Sequence, residues 1–481
     1  MVFYPQTRVT PKKSIHGFDV LVEVGRLRFL EHKQISEIHS FFLRKGVNIP
    51  PRTLEHLCLR FLYYVVAVHL ESVSDLALIF EKQGGYIGHV DATTTKGTPG
   101  TLLIKDGWSG IRLLAASIPT EATDFVLPYL QMIQLYFGNP IALVRDMGKG
   151  IEAAINEIFV GVYVITCHFH FLRAVGLRLF DTLYPRFRGR VYRTGVIKKL
   201  RSIRKQCMKR KASLERNQAI EFLEYLLAYK KDGNGIAYPF SLPVVDFYRR
   251  CNEIQEMTHS IILENARNNR SSPCLSRLQD ALHLLRPSPV VNVRIHADFD
   301  RIMKRWQWFE RVREALRYRN GPVPLNTEGS LSTKELETGR KMIDILRDDI
   351  ESFIQQNDSN DCSLKQTLQG ISELINERRE ELFVPNVTVT IDGEKQLKQL
   401  PRTNNSVEQD FRKMRRHARR IRGDMDVERS VQRDGVGLAF VANLSIDEYV
   451  QCVYGSLDLM AYRFATASED TLEKAKALFW K

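Results

Sequence analysis

Between Tyr86 and Thr166 the hydrophobic pattern of this chain limits the folds open to it more than any other stretch does. Tyr86–Val90 reads as a short strand ending in Asp91. Thr101–Ile104 and Ile111–Ser117 read as two further strands, separated by the turn sequence Asp106-Gly107-Trp108-Ser109-Gly110. A helical pattern over 121–137 precedes a strand over 141–144 that ends at Asp146, a helix over 149–159 and a strand over 162–166. Three antiparallel strands, then strands alternating with helices, predict an α/β fold with a mixed sheet flanked by helices. In open α/β sheets, functional groups gather beyond the carboxyl ends of strands. Asp91 and Asp146 both stand at such ends.

A second constraint comes from residues 401–423, PRTNNSVEQDFRKMRRHARRIRG. Val407, Phe411, Met414, Ala418 and Ile421 recur at helical spacing and predict one buried helix face. One position along run Glu408, Arg412, Arg415, Arg419 and Arg422, about 100° around the helix from the apolar stripe. Arginines in a row suit phosphates spaced along a nucleic-acid backbone. A single carboxylate at their head suits a bound cation. Asn405-x-x-Glu408 also fits a capping box, in which Glu408 would bond back to the helix start and do no chemistry.

At 481 residues the chain predicts two or three domains. A hydrophobic content of 44% and a charged content of 26% are those of a soluble globular protein. The longest apolar run, Phe61–Leu70, is too short for a membrane span, and the N-terminus has no apolar signal-peptide core. An intracellular protein with no membrane partner is expected. Seven scattered cysteines without a CxxC pair argue against a disulfide framework or a zinc knuckle. The net charge of +14 is concentrated. Lys198–Lys211 carries eight basic residues and no acid, and Arg412–Arg422 carries seven and no acid. Without those fifteen, 55 basic residues stand against 56 acidic ones. Such focusing fits contact with a polyanion, although basic runs also serve as solvated helix faces or localisation signals. In the first run, Lys198, Lys199, Arg201, Arg204 and Lys205 surround an apolar stripe of Val196, Leu200, Ile203 and Cys207, so one face of that helix should be docked.

Residues 33–70 predict two helices joined by Lys45-Gly46-Val47-Asn48-Ile49-Pro50-Pro51, a helix-turn-helix pattern that would offer Arg52, Thr53, His56 and Arg60 to a DNA groove. After Cys167 more than 200 residues are charged and helical, with breaks at 268–273, 286–289 and 357–361. Val384–Ile391 reads as a strand with an Asp392-Gly393 turn. The expected domains are therefore a helical DNA-binding region over 1–80, the first part of an α/β core over 81–180 and a helical insertion over 181–395. The glutamate helix returns to the core over 396–430, and a helical tail covers 431–481.

The order of strands and helices is that of a ribonuclease H-like core. Four blocks sharpen the comparison: HVDATT at Asp91, LVRDMGKGIEAAI at Asp146, ITCHFHFLR at Cys167 and RTNNSVEQDFRKMRRHARRIRG at Glu408. Together they resemble the DDE transposases, most closely those of Mutator-like elements and their prokaryotic insertion-sequence relatives. The resemblance covers about residues 35–430. It implies that Asp91, Asp146 and Glu408 are catalytic ligands for two Mg²⁺ or Mn²⁺ ions, hard cations that carboxylates suit. It also implies a C-x-x-H pair, Cys167 and His170, that packs near the site without a metal of its own, and a long helical insertion before the glutamate. The extra His168 has no counterpart in that pattern. The expected partners are double-stranded DNA, as terminal inverted repeats and as target, and a second copy of the chain, in a homodimer or higher oligomer. The location would be with DNA, in the cytoplasm or nucleoid of a prokaryote or the nucleus of a eukaryote. Two rivals stand beside this reading: a ribonuclease H-like nuclease or resolvase without strand transfer, and a transposase-derived DNA-binding protein without catalysis.

Overall fold

The computed structural model describes residues 9–95, 98–230, 238–285, 293–317, 329–356, 361–422 and 427–479. Four helices lead in: α1 (Phe18–Gly25), α2 (Ile35–Arg44), α3 (Pro51–Glu71) and α4 (Val73–Lys82). The sheet region then runs β1 (Ile87–Thr95), β2 (Thr98–Asp106), β3 (Arg112–Ile118), α5 (Thr123–Phe137), β4 (Ala142–Arg145), α6 (Lys149–Ile158) and β5 (Tyr163–Thr166). Next come α7 (His168–Phe180), α8 (Leu183–Arg193), α9 (Val196–Met208), α10 (Leu214–Leu227), α11 (Pro243–Arg267), α12 (Pro273–Leu282), α13 (Val293–Ala315), α14 (Thr333–Gln355) and α15 (Cys362–Leu382). A hairpin of β6 (Val387–Ile391) and β7 (Glu394–Lys398) turns through Asp392 and Gly393, both at positive φ, and leads to α16 (Asn405–Arg422). The chain closes with α17 (Val427–Val441), α18 (Asp447–Tyr454), α19 (Met460–Thr466) and α20 (Glu469–Ala477).

The five-stranded sheet is mixed, in the order β3-β2-β1-β4-β5. β1, β2 and β3 form an antiparallel meander, whereas β1, β4 and β5 are parallel. The predicted α/β class is therefore the observed one. Strand alternation sends Ile87, Ala142, Val144 and Ile165 to one face, where Val384 and Leu400 cover them. Val90 and Leu143 belong instead to the large core that includes Val126, Leu130, Ile151 and Ile155 of α5 and α6. One expectation needs correction. Asp91 is not at the end of its strand, because β1 continues to Thr95 in its pairing with β2.

The chain divides into two compact units. The first comprises Met1–His170, Leu325–Glu337 and Arg378–Lys481; the second comprises Phe171–Pro324 and Thr338–Glu377. The boundaries differ from those read in the sequence: the β6–β7 hairpin belongs to the first unit, not to the insertion. Residues 286–289 and most of 357–361, where loops were expected, lie outside the described residues. The N-terminal helices do not form a compact unit of their own either. Leu54, Leu57, Phe61, Leu62 and Val65–Val68 of α3 are buried in the same core as β2, β3 and the C-terminal helices. The reason is composition: past its first turns α3 is apolar on every side, so it can only be a central helix. Among the described residues no single helix is long and apolar enough to cross a membrane. In the second unit, aromatic pairs such as Phe187–Tyr248 and Phe180–Phe309 fill the interior, and buried Asp298 is held by Arg186 and Arg190.

A buried ion cluster fastens α16 to the meander. Asp410 accepts from Lys105 Nζ of β2 at 3.2 Å and from Arg112 Nε of β3 at 3.0 Å, with Arg112 Nη2 on its other oxygen. The same Arg112 exchanges two backbone bonds with the Asn443 side chain, at 2.8 and 3.0 Å. Breaking a buried ion cluster from one side leaves its partners uncompensated, at a cost of about 3–5 kcal/mol. Asp410→Ala should therefore lower unfolding stability in urea by an amount of that order, whereas Arg412→Ala, on the exposed side of the same helix, should change it little.

Candidate active site

The sheet register brings the two predicted aspartates together. Val90 of β1 pairs with Arg145 of β4, and Arg145 pairs with Thr166 of β5. Asp91, Asp146 and Cys167 each follow one of those three residues, on neighbouring strands that lie about 4.8 Å apart. Asp146 accepts from the Gly148 N–H at 2.9 Å, at the start of α6, where the helix dipole favours negative charge. Asp91 accepts from the Ala92 N–H at 2.8 Å and is only 6% exposed.

Asn404 supplies the third side. Its Nδ2 donates to the Val90 carbonyl at 2.9 Å, which fixes the amide so that Oδ1 accepts from His89 Nδ1, also at 2.9 Å. Its backbone N–H donates to Cys167 Sγ at 3.3 Å. Its carbonyl accepts from the Val407 and Glu408 N–H groups, opening α16. The capping alternative for Glu408 is thus out of register: the residue flanking the helix is Asn404, not Asn405, and Glu408 stands one position beyond the reciprocal capping position. Glu408 faces His170 instead, with Oε1 at 3.4 Å from Nε2, while Arg412 approaches Oε2 at 3.5 Å. Farther along, Arg415 donates to Thr93. The odd-numbered face of β1 (His89, Asp91, Thr93) therefore lies along the side of α16 that carries Asn404, Glu408 and Arg415.

The C-x-x-H spacing gains a geometric meaning. Cys167 accepts from the backbone N–H groups of Phe169 and His170 and so caps α7, which places His170 in the first helical turn beside Glu408. Burial pushes the Cys167 thiol up to about 12, so it remains a neutral acceptor. His168, unassigned in the sequence, is buried with Nε2 on the Leu382 carbonyl at 2.8 Å.

The electrostatics of the site are unfavourable to its own charges. Burial, then the charges of Asp146 and Glu408, raise Asp91 well above the usual carboxylate range, and Glu121 adds to the effect. Glu121 escaped sequence reasoning, since it reads as an ordinary helix-start acid. Gly150 is what admits it: a Cβ there would meet the Glu121 carbonyl at 1.9 Å. A Cβ on Gly148 would lie 3.0 Å from Asp146 Oδ1 and 3.5 Å from Glu121 Oε2, so the two carboxylates share that corner. The donor set consists of hard oxygens and suits Mg²⁺ or Mn²⁺ over softer metals. No group of three or more His, Cys, Asp and Glu among the described residues forms a metal site, and Glu408 lies against His170 and Arg412.

The sequence matches no protein-family model and no curated protein.

The remaining candidates are dispersed. Arg412 and Arg419 are exposed on α16, Arg415 is committed to β1, and the side chain of Arg422 lies outside the described residues. In the second unit the basic run forms α9, with Val196, Leu200, Ile203 and Cys207 buried and Lys198, Lys199, Arg201 and Lys205 exposed. Arg204 pairs with Glu224 at 2.9 Å. Arg52 is exposed at the start of α3, whereas Arg60 donates to the Lys12 carbonyl.

Two outcomes follow. A carboxyl raised in the folded state costs nothing below its unfolded value of about 3.9 and destabilises the fold increasingly as pH rises above it. Asp91→Asn should therefore raise the melting temperature at pH 8 and lose that advantage as pH falls to 4, and added Mg²⁺ should stabilise the parent more than the variant. Asn404→Ala should cost about 2–4 kcal/mol by urea unfolding, since it strands His89 Nδ1 and the Val90 carbonyl in the interior; Asn405→Ala should cost much less.

Proposed function

We propose that this chain is a DDE-type transposase built on a ribonuclease H-like core, which cleaves DNA at element ends and joins them to a target. The observation that carries the reading is the junction of three elements at one point. Asp91 and Asp146 follow paired positions on adjacent parallel strands, and the Glu408 helix starts from Asn404, bonded to the residues just before Asp91.

Asp91, Asp146 and Glu408 would hold the divalent cations, with Glu121 beside them. When bound, such ions activate water and stabilise the leaving oxygen of an in-line displacement at phosphorus. The protein's own groups do the rest. His170 and Arg412 orient the Glu408 carboxylate, the start of α6 holds Asp146, and burial keeps Asp91 short of solvent, so that a cation is its best counter-charge. Exposed Arg412 and Arg419 on α16, with Lys198, Lys199, Arg201 and Lys205 on α9, offer phosphate contacts that carry no base information. Hydrolysis at an element end frees a 3′-hydroxyl, and the same site then directs that hydroxyl onto target DNA. Two ends handled together call for at least a dimer on DNA, inside the cell compartment that holds the DNA.

A second reading, a nuclease or resolvase without strand transfer, gains from the burial of α3. With those helices packed into the core, residues 9–80 do not form a unit of their own. Pre-cleaved ends separate the two readings, since only a transposase joins them to target DNA. The direct test is Mg²⁺- or Mn²⁺-dependent cleavage of the element's terminal repeat. Glu408→Gln should slow it on the order of a thousandfold, the equivalent of several kcal/mol of lost charge stabilisation. Equal cleavage by parent and variant would refute the assignment, and binding without cleavage by the parent would identify a DNA-binding relative.

A further inference from the structure

A cavity of about 460 Å³ opens beside α16, half-way round that helix from Glu408, between the chain before α2, β3 and the end of α17. Its wall is apolar, from Phe29, Leu30, Met414, Leu438, Val441 and Leu444. Its polar lining is basic. Lys413, Arg416 and Arg420 are exposed along the rim, and none is paired with an acid among the described residues. Arg112 and Asp410 neutralise each other at the back. His417 is 7% exposed; its Nδ1 lies 2.7 Å from His32 Nδ1, and its Nε2 has no partner among the described residues. Burial, then the neighbouring His32, lowers His417 to about 3, so the pair is neutral and one imidazole donates to the other.

A buried nitrogen without a partner is an unfavourable state that a bound ligand relieves. The combination of apolar walls, three cations at one rim that are unpaired among the described residues, and a lining histidine whose buried Nε2 lacks a partner among them is that of a pocket for an amphiphilic anion. An inorganic ion would need far less room and would leave both the walls and His417 unused. We propose that this cavity binds a nucleoside monophosphate unit, with its phosphate on Arg416 and Arg420 and its base between Met414 and Leu438, within reach of His417. In either tautomer of the His32–His417 pair, His417 Nε2 offers the base edge one hydrogen bond. The unit is either a free nucleotide or an unpaired nucleotide at a strand end.

The test is calorimetric titration of the full chain with dAMP, deoxyadenosine and inorganic phosphate. The nucleotide should bind at least about tenfold more tightly than the nucleoside or phosphate alone, because the two halves of the pocket act together. The double substitution Arg416→Ala/Arg420→Ala should weaken dAMP at least about tenfold and keep the parent's melting temperature, since both side chains are exposed. His417→Leu should weaken dAMP without changing phosphate binding. Duplexes with a one-nucleotide overhang, set against blunt duplexes, then separate the sources. Displacement of dAMP by the overhang alone assigns the site to strand ends, and displacement by neither assigns it to the free nucleotide. Phosphate binding as tight as dAMP, absence of dAMP binding at millimolar concentration, or unchanged affinity in the double variant would each overturn the proposal. All these readouts are of binding and do not depend on cleavage.

Discussion

Asn404 is the residue on which the site depends. One side chain and its two flanking peptide groups bond to β1, to Cys167 after β5 and to the first turn of α16. Those are the three places from which Asp91, His170 and Glu408 project. The contact succeeds because two repeats match. Two residues of strand advance about 6.6 Å, and four residues of helix advance about 6 Å. His89 with Asn404 and Asp91 beside Glu408 are successive rungs of that match; beyond them the longer Arg415 side chain, seven residues past Glu408, reaches Thr93. A helix laid along a strand keeps such agreement for only a few rungs, which confines the carboxylates to one end of α16.

What is held this way is unfavourable in itself. A buried aspartate beside two further carboxylates, with a fourth at Glu121, raises the free energy of the folded state unless a counter-charge arrives. The surrounding structure supplies the stability that tolerates it. Asp410 with Lys105 and Arg112 joins α16 to the meander, and α3 lies at the centre of the same core. The buried Asp91 calls for a cation, and Lys413, Arg416 and Arg420, which have no acid partner among the described residues, call for an anion.

Much of the fold was legible in the residues. The strands of the sheet region, the helices between them and the buried stripe of α9 follow from periods of 2 and 3.6 residues, because short-range packing sets them. Domain limits were less legible. The helix-turn-helix pattern over 33–70 resembles a small DNA-reading domain until the apolar surface of α3 past its first turns is set against a core large enough to bury it. The register of the Glu408 helix was misjudged by one residue, since Asn404 and Asn405 are equally good helix starters and only the partner strand chooses between them.

The sequence by itself determined an α/β sheet with Asp146 just past the end of a strand, Asp91 on the first strand and a glutamate at the head of a basic helix. Local hydrophobic period and turn chemistry are properties of neighbouring residues, and a sequence records neighbours. Only the tertiary structure decided that Asp91 stands where the pairing of β1 with β4 stops, that Glu121 joins the acids through the space left by Gly150, and that Glu408 turns to His170. It also decided that His417 meets His32 across 385 residues. Those facts depend on contacts between segments far apart in the chain, whose geometry is set by how the elements pack together.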